Sequence, residues 1–125
     1  MAKMILVVDD SASLRRVVNL ALTNAGYEVL EAADGVDALQ KLAALKDTKI
    51  HLIISDVNMP RMDGIEFVTE LKKQSAYKFV PVIMLTTEGD EEIKNEGRVA
   101  GAKAWVLKPF KPEQMLNAVT KLVLP

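Results

Sequence analysis

Short apolar runs alternate with longer amphipathic segments along this chain, and few architectures accept that order. Met4 to Val8 is a continuous apolar run that suits a buried strand. From Ser13 to Ala25 the apolar residues Leu14, Val17, Val18, Ala21, Leu22 and Ala25 recur at helical spacing, and Asn24-Ala25-Gly26 supplies a stop signal. Tyr27 to Ala32 alternates as an edge strand does. Asp34 can cap a helix that carries Val36, Leu39, Leu42 and Ala43 on one side. A second apolar run, Ile50 to Ser55, ends at Asp56, and Asn58 to Gly64 reads as a loop. Ile65, Val68 and Leu71 mark a third helix. Val80 to Leu85 predicts a strand with Pro81 tolerated at its start. Glu91 to Ala100 is the poorest helix, because Gly97 interrupts it and only Ile93 and Val99 are large and apolar. Ala104 to Leu107 is a short last strand. Pro112 suits the first turn of a final helix bearing Met115, Leu116, Val119, Leu122 and Val123.

Five strands alternating with five helices predict a parallel sheet covered on both faces. Right-handed crossovers then require the strand order to reverse somewhere, and such sheets bind ligands at the reversal, beyond the carboxyl ends of their strands. The 125 residues suffice for one domain with a full core, so 1–125 is expected to be a single unit. No repeat, low-complexity tract or linker divides it.

Several classes of function fall away. Cysteine is absent, which excludes disulfides and thiolate metal sites and fits a reducing cytoplasm. Sixteen Lys and Arg nearly balance 17 Asp and Glu, whereas a nucleic-acid binder needs a basic footprint. The apolar run at the N-terminus is short and ends in two aspartates, unlike a signal peptide. No apolar stretch approaches the roughly 18–20 residues of a membrane span.

The polar residues after the strands carry the chemistry. Asp9 and Asp10 follow the first strand, Asp56 closes the third, Thr86, Thr87 and Glu88 follow the fourth, and Lys108 and Pro109 follow the fifth. A parallel sheet places all of them on one edge. Three carboxylates there repel one another unless a cation neutralises them, and Lys108 supplies only one charge. Oxygen donors with no His or Cys nearby favour a hard ion such as Mg²⁺. A metal, an ammonium and a hydroxyl to hold equatorial oxygens, with a carboxylate to attack, suit phosphoryl transfer. Each motif alone is weaker. Asp9-Asp10 alone would cap a helix, Asp63-Gly64 would make a turn, and Trp105 would be a packing residue. Asp90, Glu91 and Glu92 read as a solvated helix start. His51 stands at the start of its strand, far from the carboxylates, and is read as structural or exposed.

With these residues the sequence resembles the receiver domains of two-component response regulators, the single-domain chemotaxis type above all. The matching stretches are Val7-Val8-Asp9-Asp10-Ser11, the run from Ile54 to Gly64, Leu85-Thr86-Thr87-Glu88, and Val106-Leu107-Lys108-Pro109-Phe110. They stand in order and spacing across essentially the whole chain. The resemblance implies a flavodoxin-like, doubly wound α/β fold with strand order 2-1-3-4-5. It implies that Asp56 accepts a phosphoryl group from a phosphohistidine on a sensor histidine kinase, or from a small acyl phosphate. Asp10, Asp56 and the Asn58 carbonyl would ligate Mg²⁺, or Mn²⁺ in its place, with Asp9 acting through a metal-bound water. Lys108 would pair with Asp56 and then with the phosphoryl group, and the Lys108–Pro109 bond would be cis. Thr86 would be the switch hydroxyl, and Trp105 the aromatic residue that turns inward; most relatives carry Tyr or Phe there. Asn58 and Glu88 would tune self-dephosphorylation, to a lifetime of seconds to minutes.

The expected protein is therefore a cytoplasmic switch that turns over no free metabolite and is monomeric when unphosphorylated. Its expected partners are a sensor histidine kinase and the flagellar motor switch, with room for a phosphatase, and with neither nucleic acid nor membrane among them. A phosphorelay intermediate and a phosphate sink are the alternatives. A phosphatase of the haloacid dehalogenase type is more distant, since its signature needs an Asp-x-Asp pair and here the aspartates are adjacent.

Overall fold

The computed structural model describes residues 2–45, 48–87 and 91–123. In chain order the elements are β1 (Met4–Val8), α1 (Ala12–Asn24), β2 (Glu28–Ala32), α2 (Gly35–Ala44), β3 (Leu52–Asp56), α3 (Gly64–Lys72), β4 (Val82–Thr86), α4 (Glu91–Ala100), β5 (Ala104–Leu107) and α5 (Pro112–Leu122). The strands form one parallel sheet in the order β2-β1-β3-β4-β5. The reversal falls between β1 and β3, as a doubly wound fold requires.

Side chains that alternate along each strand divide the core in two. Leu6, Val8, Ile53, Val82 and Met84 point to one face and pack with Phe67, Val68 and Leu71 of α3. Ile5, Val7, Leu52, Ile54, Ile83 and Leu85 point to the other, against Val18 and Leu22 of α1 and Met115 and Val119 of α5. The near-continuous apolar runs in the sequence thus mark strands buried on both sides. Each fully buried Leu or Ile contributes about 1.5–3 kcal/mol.

Local signals set most helix starts. Ser11 accepts the Leu14 N–H at 3.3 Å, Asp34 accepts that of Asp37 at 2.8 Å, and Asp63 accepts that of Glu66 at 2.8 Å. Pro112 opens α5. Gly26 follows α1 with φ +97°, the left-handed conformation that a chain reversal needs there.

Three expectations shift. β3 begins at Leu52: Ile50 is buried but lies outside the ladder, and His51 meets β1 through its N–H to the Met4 carbonyl at 2.9 Å. β4 begins at Val82, because Pro81 has no N–H to offer; its carbonyl still accepts the Ile53 N–H at 3.0 Å. Gly97 does not interrupt α4, which runs unbroken through it. Among the described residues, no helix is long and apolar enough to cross a membrane.

Candidate functional site

The parallel order places the ends of β1 and β3 side by side, with Val8 opposite Ser55. The next residues, Asp9 and Asp56, are therefore neighbours. Both are buried, at 1% and 6% exposure, while Asp10 is exposed. One oxygen from each of the three carboxylates lies within 4.8 Å of the others. Lys108 follows β5, and its N–H donates to the Thr86 carbonyl at 2.8 Å. Its Nζ then stands between the two buried acids, 3.2 Å from Asp9 Oδ2 and 3.3 Å from Asp56 Oδ1. Asp9 is further fixed by the Ser11 N–H on its Oδ1 at 2.8 Å, and its own N–H donates to the Ala32 carbonyl at 3.1 Å. The Lys108–Pro109 peptide is cis.

One ammonium faces three carboxylates. Burial pushes the Asp56 carboxyl above the usual carboxylate range; the charge of Asp9 adds to this, Lys108 opposes it, and Asp10 contributes a little more. This has a measurable consequence. A carboxyl whose folded pKa lies above its unfolded value binds protons more readily when folded. Its ionisation therefore lowers stability as pH rises through that window, and the whole penalty applies once the pH exceeds the folded pKa. Asp56→Asn, measured without divalent metal at neutral pH, is expected to raise stability by about 1 kcal/mol, or Tm by about 4 °C. The gain should vanish at a pH low enough to protonate the wild-type carboxyl. A lower Tm in the variant at neutral pH would contradict this electrostatic account. The donor set itself fits a hard divalent cation: oxygen ligands only, converging, with excess negative charge.

Thr86 is fully buried as the last residue of β4. Trp105 lies on β5 opposite Met84, half-buried, and packs with the α3–α4 side of the core. Its indole lies directly over Gly97: a Cβ there would fall 2.3 Å from Cζ2 and 2.8 Å from Cη2. The glycine that weakens α4 as a sequence is thus the seat of the aromatic ring. Asn58 is exposed, two residues past Asp56. Glu88 lies outside the described residues. His51 is at the opposite edge, half-buried, where its Nδ1 accepts the Met4 N–H at 3.1 Å. Burial lowers its pKa, helped by Lys3 and Lys49.

Two contacts around the site were not legible as site features. The Arg15 guanidinium donates to the Asp9 carbonyl and to Glu31 Oε1, so α1 braces the first acidic residue. Asp34, read only as a helix cap, also receives Arg61, whose guanidinium holds its carboxyl below the usual range. Arg15–Glu31 and Arg61–Asp34 join residues 16 and 27 apart in sequence, which no local pattern announces.

Comparison with known proteins gives a consistent set of likenesses. Residues 5–120 match the family model for the response regulator receiver domain. The chain is 43% identical over 121 residues to the chemotaxis protein CheY1 of Helicobacter pylori, covering 96% of this chain and 95% of that one. It is 39% identical over 115 residues to protein PilG of Pseudomonas aeruginosa, covering 92% and 83%. The solved structure of Vibrio cholerae chemotaxis protein CheY4 superposes with a TM-score of 0.91 at 48% identity, covering 98% and 99%.

Proposed function

We propose that this chain, which belongs to the response regulator receiver domain family, is a chemotaxis-type switch that Asp56 turns on by accepting a phosphoryl group. The observation that carries this reading is Lys108 Nζ shared between the buried carboxylates of Asp9 and Asp56 at the strand edge. A carboxylate oxygen of Asp56 attacks phosphorus. The bond from phosphorus to the imidazole nitrogen of a sensor kinase, or to the acyl oxygen of a small acyl phosphate, breaks, and the leaving group keeps its electron pair. Lys108 already contacts the attacking carboxylate and would follow the charge onto the phosphoryl oxygens. Asp10, Asp56 and the Asn58 carbonyl would hold Mg²⁺, with Asp9 bound through water. The ion, when bound, supplies the positive charge that three carboxylates and a phosphoryl group demand.

Thr86 would donate its hydroxyl to a phosphoryl oxygen, and Trp105 would then adjust its place between β5 and α4. Asn58 and Glu88 would set how readily water reaches the aspartyl phosphate. The output surface is the face of α4, β5 and α5. A cavity of about 670 Å³ there is lined by Lys94, Lys103 and Lys121 beside Trp105 and the half-exposed Leu107. Cations around an apolar floor suit an acidic, amphipathic partner segment. The likeness to chemotaxis proteins supports the flagellar motor switch as that partner. The chain would act as a receiver in the cytoplasm, catalysing only its own phosphorylation and dephosphorylation.

Incubation with a small acyl phosphate and Mg²⁺ should add one phosphoryl group per chain, and Asp56→Asn should add none. Undiminished incorporation in that variant would refute the acceptor assignment.

A further inference from the structure

The loop between β3 and α3 leaves ordinary backbone at one residue. Arg61 has φ 63°, the left-handed region that side chains with a Cβ enter only at a cost. Nothing buries Arg61 there, since its side chain is 57% exposed. Across it the Met62 N–H donates to the Pro60 carbonyl at 2.6 Å, and the Arg61 side chain ends in a fork. Nε donates to Asp34 Oδ2 at 2.8 Å and Nη2 to Asp34 Oδ1 at 3.0 Å. Exposed ion pairs usually contribute little. This one differs in being bidentate, and in having one partner buried at 4% exposure and fixed by the Asp37 N–H that it caps. A second contact lies beside it: Met62 packs onto Gly35, where a Cβ would sit 2.9 Å from its Cγ.

Each end of this clamp lies a few residues along the chain from a part of the acidic site. Asp34 stands two residues beyond Ala32, whose carbonyl accepts the Asp9 N–H. Arg61 stands three residues beyond Asn58. The fork therefore ties the segment that anchors Asp9 to the loop that carries the Asn58 carbonyl. We infer that Arg61 is a positioning residue, clamping the loop on Asp34 so that the Asn58 carbonyl and the acidic side chains hold the spacing that Mg²⁺ requires. This rests on the reading of the site as a Mg²⁺ site.

Mg²⁺ demands near-ideal octahedral geometry at short distance, whereas Ca²⁺ accepts more ligands in flexible arrangements. A loosened loop should therefore penalise Mg²⁺ more than Ca²⁺. A merely structural weakening would change both alike.

The test is the rise in thermal midpoint with added Mg²⁺ or Ca²⁺, in the full chain carrying Arg61, Arg61→Ala or Arg61→Lys. Arg61→Ala should weaken Mg²⁺ about tenfold and Ca²⁺ about twofold. Arg61→Lys, which offers a point charge but no fork, should fall between. Equal losses for the two ions, or no loss for either, would overturn the clamp. If the unaltered chain shows no response to Mg²⁺, the metal reading fails first and the clamp falls with it.

Discussion

Gly64→Ala is expected to cost about 3 kcal/mol, at the upper end of what overpacking a core costs. A Cβ at Gly64 would lie 2.1 Å from the Asp56 carbonyl oxygen, 3.0 Å from its carbonyl carbon and 2.8 Å from Met84 Cε. The methionine end can yield. The Asp56 backbone cannot, because it closes β3 in the middle of the sheet, between β1 and β4. The helix start cannot retreat either, since the Gly64 N–H donates to the Val57 carbonyl at 2.7 Å. Relief would have to come from moving α3 or the proposed acceptor itself. Gly26→Ala makes the control. Gly26 has positive φ but no atom within 4 Å of the added carbon, so only the backbone strain applies, at about 1 kcal/mol. Urea unfolding of the two variants should separate them by about 2 kcal/mol. Equal midpoints would show that α3 does not press on Asp56.

Lys108→Ala is expected to cost about 2 kcal/mol without divalent metal. Removing one partner of a buried ion pair leaves an uncompensated charge and commonly costs about 3–5 kcal/mol. Here the lysine is 19% exposed, so water relieves part of the loss. Among the described residues, Lys108 forms the ion pairs to Asp9 and to Asp56. Without it the two carboxylates face each other, and the Asp56 carboxyl, already raised, must rise further. The loss should therefore be largest at neutral pH and shrink on acidification, as protonation removes one charge. Mg²⁺ should recover part of it. In an Asp56→Asn background the same substitution should cost markedly less, since one of the two charges is gone. A loss that is insensitive to pH, to Mg²⁺ and to that background would mean that Lys108 acts only through packing.

The sequence showed the architecture because parallel strands buried on both faces must be apolar along their length, and such runs are conspicuous. The same logic made the site legible. Once β1, β3, β4 and β5 run parallel, Asp9, Asp56, Thr86 and Lys108 share an edge whatever the details of packing. The near-zero net charge did not reveal it, because lysines elsewhere cancel the local excess of carboxylates. Strand starts were less legible. Ile50 is apolar and buried, but it serves the core from outside the ladder. Gly97 read as a flaw in a helix, and only the indole lying across it explains the missing side chain. Arg61 and Asp34 are 27 residues apart, so neither periodicity nor a local motif joins them.

The most direct test of the account is to locate the phosphoryl group. The chain is phosphorylated with a small acyl phosphate in Mg²⁺, reduced with borohydride to trap any aspartyl phosphate, and mapped by peptide mass spectrometry. The account predicts one modified residue, Asp56, with the modification lost when Mg²⁺ is chelated. Modification at Asp9, Asp10 or His51 instead, or incorporation that ignores the metal, would contradict it.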